Sequence, residues 1–370
     1  MTARAEFRAF ADAELIPHAD RHDREEHTPP SLIEKLARRK YLGALLPRSE
    51  GGMGLDMVTF GLLNEELGRG CSSARSLLTV HSMVAHALDR WGSKSQKTRW
   101  VGRLASGESL AAFALSEPDA GSDARAIKTE AAHRGDAYVL NGRKKWITFG
   151  QVADVFLVFA QVEARPAAFL VERNSPGLEV EPISGMLGVR ASMLAELRLK
   201  ECRVPAENLV GRVGFGISHV ASAALDYGRY SVAWGCVGLA QHCLEATLRY
   251  TGEREQFGVH LREHQLVQRL ITRMLVGVKA ARLLCYEAGR LKDAKNPRSI
   301  VETAAAKYFA STTAMQVASD AVQLHGANGC SGDYPVQRHL RDAKVMEIIE
   351  GSTQMQELMI AQNGFQEWTI

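Results

Sequence analysis

The chain has 370 residues, 46% of them hydrophobic and 24% charged, enough for two or three packed layers; this composition excludes a disordered chain. Its 45 basic and 42 acidic residues leave a net charge of +3, and basic clusters such as Arg38-Arg39-Lys40 are short. No nucleic-acid partner is therefore expected, and small-molecule chemistry is the starting expectation.

The N-terminal stretch MTARAEFRAFADAELIPHAD alternates charged and apolar residues at helical spacing, unlike a signal peptide. No apolar run approaches the ~18 residues of a membrane span, so a cytoplasmic protein with no membrane partner is expected. The six cysteines, Cys71, Cys202, Cys236, Cys243, Cys285 and Cys330, form no C-x-x-C pair and are expected to be reduced thiols packed as small hydrophobes. The histidines show no ligand spacing, and no metal site is expected.

The first third is predicted helical. PPSLIEKLARRKYLGALL opens with prolines suited to a helix entry, and MVTFGLLNEELGRG carries apolar residues three and four apart before a glycine-rich stop. SSARSLLTVHSMVAHALDRWG and SQKTRWVGRLASGE continue the pattern, and SEGGMGLD is a connecting loop.

From residue 111 the texture changes to short strand-like runs: AAFAL, AYVLNGRKKWITF, DVFLVFAQV, AAFLVE, GLEVEPI and AELRLKECRV. Asn141-Gly142 predicts a type I′ hairpin between Tyr138–Leu140 and Trp146–Thr148. After GRVGFG a helical texture returns to the end, with long amphipathic segments enough for a bundle. The predicted fold class is α+β, mainly α: a helical domain over 1–110, a β domain over 111–215 and a C-terminal four-helix bundle over 216–370. GGMGLD, GRVGFG and GANGCSG all miss the Rossmann fingerprint, so a bound dinucleotide would be held another way.

Four segments then occur in register. AAFALSEPDAGSD at 111–123, KWITFG at 145–150, REQFGVHLREHQLVQ at 254–268 and QLHGANG through RDAKVMEIIEGSTQMQ at 323–356 resemble the acyl-CoA dehydrogenase family across nearly the whole chain. The resemblance implies FAD as cofactor, an acyl thioester as substrate and a homodimer or homotetramer. It also implies that a carboxylate removes a proton from the substrate while hydride leaves to the flavin.

The family's E-G-T/S-x-Q turn falls on Glu350, which the resemblance makes the catalytic base. A helix ending at Gly351 is expected to project this carboxylate into a cavity, with Ser352 as N-cap of the next helix and the apolar neighbours Ile348 and Ile349 raising its pKa. By the same resemblance Phe113, Leu115 and Ser116 line the isoalloxazine, and Gly121 and Ser122 lie near the diphosphate and the thioester arm. Ser116 stands where the family usually has Thr, with the hydroxyl retained.

Trp146, Ile147 and Thr148 match the segment packed on the flavin ring; Trp146 and Thr148 are expected on one side of a strand. Arg254, Gln256, Phe257 and Gln265, with Gln323 and Gly326, match segments by which a neighbouring subunit reaches FAD. Ala327 departs from the family's more usual Gly. Ser352 and Gln354 match the last flavin contacts, and Ser122, Asp226, Arg229 and Gly351 match substrate-side positions.

Within the family, CSSARSLLTVHSM, GRYSVAWGCVGLA and AKVMEIIEGSTQMQ resemble the acyl-ACP dehydrogenase branch of hydroxymalonyl and methoxymalonyl polyketide extender-unit biosynthesis. That branch implies a small polar hydroxyacyl unit on an acyl carrier protein. Arg290, Lys292, Lys295 and Arg298 are candidates for a basic carrier-docking surface. A conventional short-chain acyl-CoA dehydrogenase, a dioxygen-using oxidase and a non-catalytic carrier-binding protein of the same fold remain alternatives, and the electron acceptor is unknown.

Overall fold

A computed structural model describes residues 2–367. The helical first third comprises α1 (Ala3–Phe10), α2 (Ala19–Glu25), α3 (Pro30–Arg38), α4 (Met57–Gly70), α5 (Ser72–Trp91) and α6 (Lys94–Ser106). The start signals act locally: Pro30 opens α3, Asp56 caps α4 by accepting from the Thr59 amide, and Ser93 with Gln96 forms a reciprocal capping box on α6. The helix expected to run on through KYLGALL stops at Arg38, because Lys40 takes a left-handed conformation and the chain tightens into a 3-10 turn at Tyr41–Gly43.

The strands are β1 (Ala111–Ala114), β2 (Glu130–Arg134), β3 (Ala137–Ile147), β4 (Val155–Val162), β5 (Arg165–Glu172), β6 (Leu178–Pro182), β7 (Ala195–Pro205) and β8 (Leu209–Val210). They form one sheet in the order β6-β7-β3-β2-β4-β5-β8, with β1 parallel to β4. Strand alternation partitions the core: Val155, Leu157 and Phe159 of β4 face α5 and α6, while Phe156, Val158 and Ala160 pack with Leu197 and Leu199 of β7.

The expected hairpin at Asn141-Gly142 is absent. β3 runs straight through both residues against β7, with a register shift between Leu140 and Gly142. A Cβ at Gly142 would lie 2.7 Å from the Thr129 Cα, and the Asn141 side chain is engaged by Glu201 across the sheet. The glycine thus serves close packing of two strands instead of a reversal. Among the cysteines, all free, Cys330 is exposed, whereas the other five are buried as expected.

The C-terminal helices are α7 (Ser222–Glu253), α8 (Gln265–Asp293), α9 (Ser299–His325), α10 (Val336–Met346) and α11 (Thr353–Glu367), with a small hairpin of β9 (Glu255–Gln256) and β10 (Val259–His260) between α7 and α8. α7 is the spine. Its glycines allow close helix approach, since a Cβ at Gly68 of α4 would meet the Gly235 carbonyl oxygen at 2.6 Å and one at Gly238 would meet the Glu65 carbonyl oxygen at 1.9 Å. One continuous core therefore joins the first helices to the bundle, with Phe60, Leu63 and Leu67 packed among Trp234, Val237 and Leu239.

Candidate active site

Glu350 lies in a turn that the chain holds from several sides. α10 ends at Met346, five residues before the expected end at Gly351, and residues 347–351 turn before α11 starts at Thr353. Glu350 and Gly351 both have left-handed backbones, with φ of 55° and 89°. At Glu350 that conformation costs on the order of 1 kcal/mol or more. The surroundings fix it: Lys307 Nζ donates to the Gly351 carbonyl at 2.9 Å and to that of Glu347 at 3.4 Å, Gln356 Nε2 donates to the carbonyls of Glu350 and Gly351, and Arg229 Nε donates to that of Glu350 at 3.2 Å.

The Glu350 carboxylate turns inward onto α7. A Cβ at Gly228 would lie 2.4 Å from Oε2 of Glu350 and 2.7 Å from Sδ of Met83, so glycine makes the space that this carboxylate occupies. Oε2 is buried and has no hydrogen-bond partner. Burial raises the Glu350 pKa to about 7, against the opposing pull of Arg229, Arg75 and Lys307. The desolvation does not come from Ile348, which is 59% exposed; the α5–α7 wall at Met83 and Gly228 supplies it. A carboxylate of this kind is half-ionised near neutral pH and free to take a proton.

The β-domain segments meet beside this wall. Met83 belongs to the same buried cluster as Leu115, against which Phe113 packs. Ser116 is joined to the KWITFG segment, its carbonyl accepting from the Lys145 amide at 2.9 Å, and buried Lys144 donates to the Leu115 carbonyl and to Glu117. Burial brings the Lys144 pKa down to about 8 despite that partner.

Trp146 departs from simple alternation. A register shift between Lys144 and Ile147 and a φ of 65° turn its indole outward, 47% exposed, while Ile147 is buried and Thr148 half-buried. Gly121 and Ser122 are exposed in the turn after β1, and a Cβ at Gly121 would meet nothing. Among the described residues the hydroxyls of Ser116, Ser122 and Thr148 make no hydrogen bond within the chain. An exposed indole face, uncommitted hydroxyls and an open glycine turn fit a flavin and its diphosphate.

The remaining segments expected to reach flavin lie at the far end of α7. Arg254 follows α7 directly, Gln256 and Phe257 form the β9–β10 tip, and Gln265 opens α8, all exposed. Phe257 is 96% exposed with φ 56°. Tyr250 stacks on His325 at 4.3 Å and bonds Asn328, which places the exposed Gln323 and Gly326 at this same end. Gly228 and Arg254 are 26 residues apart, roughly 39 Å along a helix, so one protomer does not bring this group to its own Glu350. Ser352 and Gln354 sit beside the Glu350 turn; Ser352 directly precedes α11, and among the described residues its side chain makes no cap bond.

Asp226 forms a salt bridge with Lys292, whose side chain is only 4% exposed, and Asp226 Oδ1 is buried without a partner. Lys292 is therefore an internal partner and drops out of the expected docking surface; Arg290 is likewise bonded to Glu287, and Lys295 is exposed. Sequence reasoning missed Gly228, Met83, Lys307 and the buried Arg75, because each acts through a contact between distant helices. The small-residue texture of α7 was the available signal for Gly228.

Family models described as the acyl-CoA dehydrogenase N-terminal, middle and C-terminal domains match residues 2–108, 112–202 and 215–365. The chain belongs to the acyl-CoA dehydrogenase family and is an FAD-dependent oxidoreductase.

It is 38% identical to the human mitochondrial short-chain specific acyl-CoA dehydrogenase over 96% of this chain and 87% of that one. Butyryl-CoA dehydrogenase from Megasphaera elsdenii has a similar structure, with TM-score 0.95 and 32% identity over 99% and 98% of the two chains. So does FkbI, for biosynthesis of the methoxymalonyl extender unit of the Fk520 polyketide, with TM-score 0.90 and 33% identity over 99% of each chain.

Proposed function

We propose that this enzyme oxidises a short hydroxyacyl unit bound as a thioester to an acyl carrier protein, in the formation of a methoxymalonyl-type polyketide extender unit. The observation that carries the chemistry is the buried, unpartnered Oε2 of Glu350 over Gly228. The likeness to FkbI over the whole chain supports the carrier-bound substrate. FAD, when bound, supplies the hydride acceptor.

Glu350 takes the proton that leaves the substrate, from Cα or from a hydroxyl. Lys307, Arg229 and Gln356 hold its turn. Phe113, Leu115, Ser116, Trp146, Ile147 and Thr148 face the flavin ring, and Gly121 and Ser122 the diphosphate and thioester arm. Ser352 and Gln354 complete the contacts beside the base, and Asp226, Arg229 and Gly351 line the substrate side. A second subunit supplies Arg254, Gln256, Phe257, Gln265, Gln323 and Gly326, so the working unit is at least a homodimer. The domain divisions are 1–110, 111–215 and 216–370.

A conventional short-chain acyl-CoA dehydrogenase is the second reading, favoured by the 38% identity to such an enzyme and by the internal pairing of Lys292, which reduces the basic docking surface. The visible spectrum of the purified protein, followed anaerobically during addition of a three-carbon hydroxyacyl carrier protein or the matching CoA thioester, separates the two. Bleaching by the carrier-bound unit alone is expected. Equal bleaching by the CoA ester moves the enzyme to ordinary acyl-CoA oxidation, and no flavin band at all defeats both.

A further inference from the structure

Two polar side chains beside the Glu350 carboxylate are buried and unused. Ser82 on α5 is 4% exposed, and its Oγ has no hydrogen-bond partner. His86, one turn further along the same helix, has a buried Nε2 that is likewise unpartnered.

A structural role accounts for neither. Hydroxyls inside helices ordinarily donate to the carbonyl one turn back, as Thr79, Thr247, Thr251 and Thr303 do here at 3.2, 2.7, 2.8 and 2.6 Å. Ser82 makes no such bond. On the same helix His81 uses both ring nitrogens, with Nε2 lying 2.9 Å from the Leu104 carbonyl and Nδ1 accepting from the Ala111 amide at 3.2 Å. The His86 ring instead rests on Tyr227, with centroids 3.8 Å apart, and leaves Nε2 free. A buried polar atom left unbonded is costly, so a group arriving with a ligand is the natural partner.

The register of α5 on α7 places both groups at the level of the carboxylate. Thr79 Oγ1 lies 2.6 Å from Ser231 Oγ and His86 packs on Tyr227, so Ser82, three residues after Thr79 and four before His86, faces α7 between residues 227 and 231. Gly228 lies in that interval, where a Cβ would sit 2.4 Å from Glu350 Oε2 and 2.7 Å from Sδ of Met83, the neighbour of Ser82. Met83 shares a buried cluster with Leu115, on the side expected to face flavin. Ser82 Oγ, His86 Nε2 and Glu350 Oε2 therefore border one region between α5, α7 and the Glu350 turn, and none bonds to another. Burial holds the His86 pKa down to about 4, with Arg90 and Lys292 acting in the same direction, so the imidazole is neutral near pH 7.

We infer that Ser82 and His86 form a specificity-determining subsite for a hydroxyl on the acyl unit, next to the Glu350 carboxylate. This rests on the reading of the substrate as a short hydroxyacyl thioester and names the side chains that select it. A hydroxyl both donates and accepts, as a serine hydroxyl and a neutral imidazole do, whereas an unsubstituted alkyl chain would leave both protein groups unsatisfied.

Calorimetric titration of the FAD-loaded enzyme with the 2-hydroxypropionyl, 3-hydroxypropionyl and propionyl thioesters of pantetheine tests this, because pantetheine is the arm that carrier protein and CoA share. At least one hydroxyacyl ester is expected to bind about tenfold or more tightly than the propionyl ester. Ser82→Ala and His86→Phe should each cut that preference by about threefold or more, and His86→Gln, which restores a donor, should retain more of it than His86→Phe.

Equal affinities for the three esters, no binding of either hydroxyacyl ester, or a preference unchanged in both Ser82→Ala and His86→Phe would overturn the inference. If His86→Phe does not fold, the wild-type comparison and Ser82→Ala decide. Selective binding without flavin bleaching would leave the subsite in place and count against hydroxyacyl oxidation instead, because calorimetry needs no turnover.

Discussion

The two ends of α7 carry the two halves of the candidate chemistry and are built on opposite principles. Near its start, Glu350 and Arg75 are drawn into the protein against Gly228 and Gly235, Glu350 Oε2 and Arg75 Nε have no hydrogen-bond partner, and Lys307 is spent on the carbonyls of the Glu350 turn. Near its end, Arg254, Phe257 and Gln323 stand in solvent with few contacts of their own. Burial tunes the first end. On the proposed reading the second acquires its environment from another subunit, so the two ends should respond differently to substitution.

The largest contrast is expected at the base. Glu350→Gln keeps shape and should keep bound flavin, while turnover falls by about 10²–10⁴-fold, measured as kcat under saturating substrate. Gly228→Ala tests the same end through packing. The added methyl would press on Glu350 Oε2 and Met83 Sδ, both ends of flexible chains, so the fold should survive while displacement of the base lowers kcat by up to about 100-fold. Retained activity would show that the carboxylate works from elsewhere.

Lys307→Met acts one step further out, removing the donor to the Glu347 and Gly351 carbonyls. About 1–3 kcal/mol of stability should be lost in denaturant melts, with a smaller fall in kcat than Glu350→Gln gives. The smallest effect on the protomer is expected at Phe257. Its ring is 96% exposed, so Phe257→Ser should change protomer stability by no more than about 0.5 kcal/mol. Flavin content and the assembly seen by sedimentation should nevertheless fall. If they do not, the far end of α7 is not an intersubunit flavin contact.

Much of this was legible in the sequence, for identifiable reasons. α4 coincides with MVTFGLLNEELGRG because apolar spacing, the Asp56 cap and the terminal glycine agree. Glu350 was legible through its turn motif and the Gly351 that follows. The Asn141-Gly142 hairpin failed because a local turn signal was overridden by tertiary pairing: Thr129 packs where a side chain at 142 would go, and β7 extends the pairing past it. Lys307 was invisible as a support of the Glu350 turn because its bonds to the Glu347 and Gly351 carbonyls arise from packing between α9 and that turn.

The sharpest test is the pH dependence of anaerobic flavin bleaching by substrate in rapid mixing. Burial raises the Glu350 pKa from 4.5 to about 7, so the carboxyl is protonated and inactive as a base below that value. The sign for stability is opposite: the contribution of this group is fully present below 4.5 and is lost as pH rises through about 7. The bleaching rate of the wild-type enzyme should climb through pH ~7 and level off, and that limb should vanish with the rate itself in Glu350→Gln. Wild-type bleaching by the Gln variant, with the same pH profile, would contradict the account.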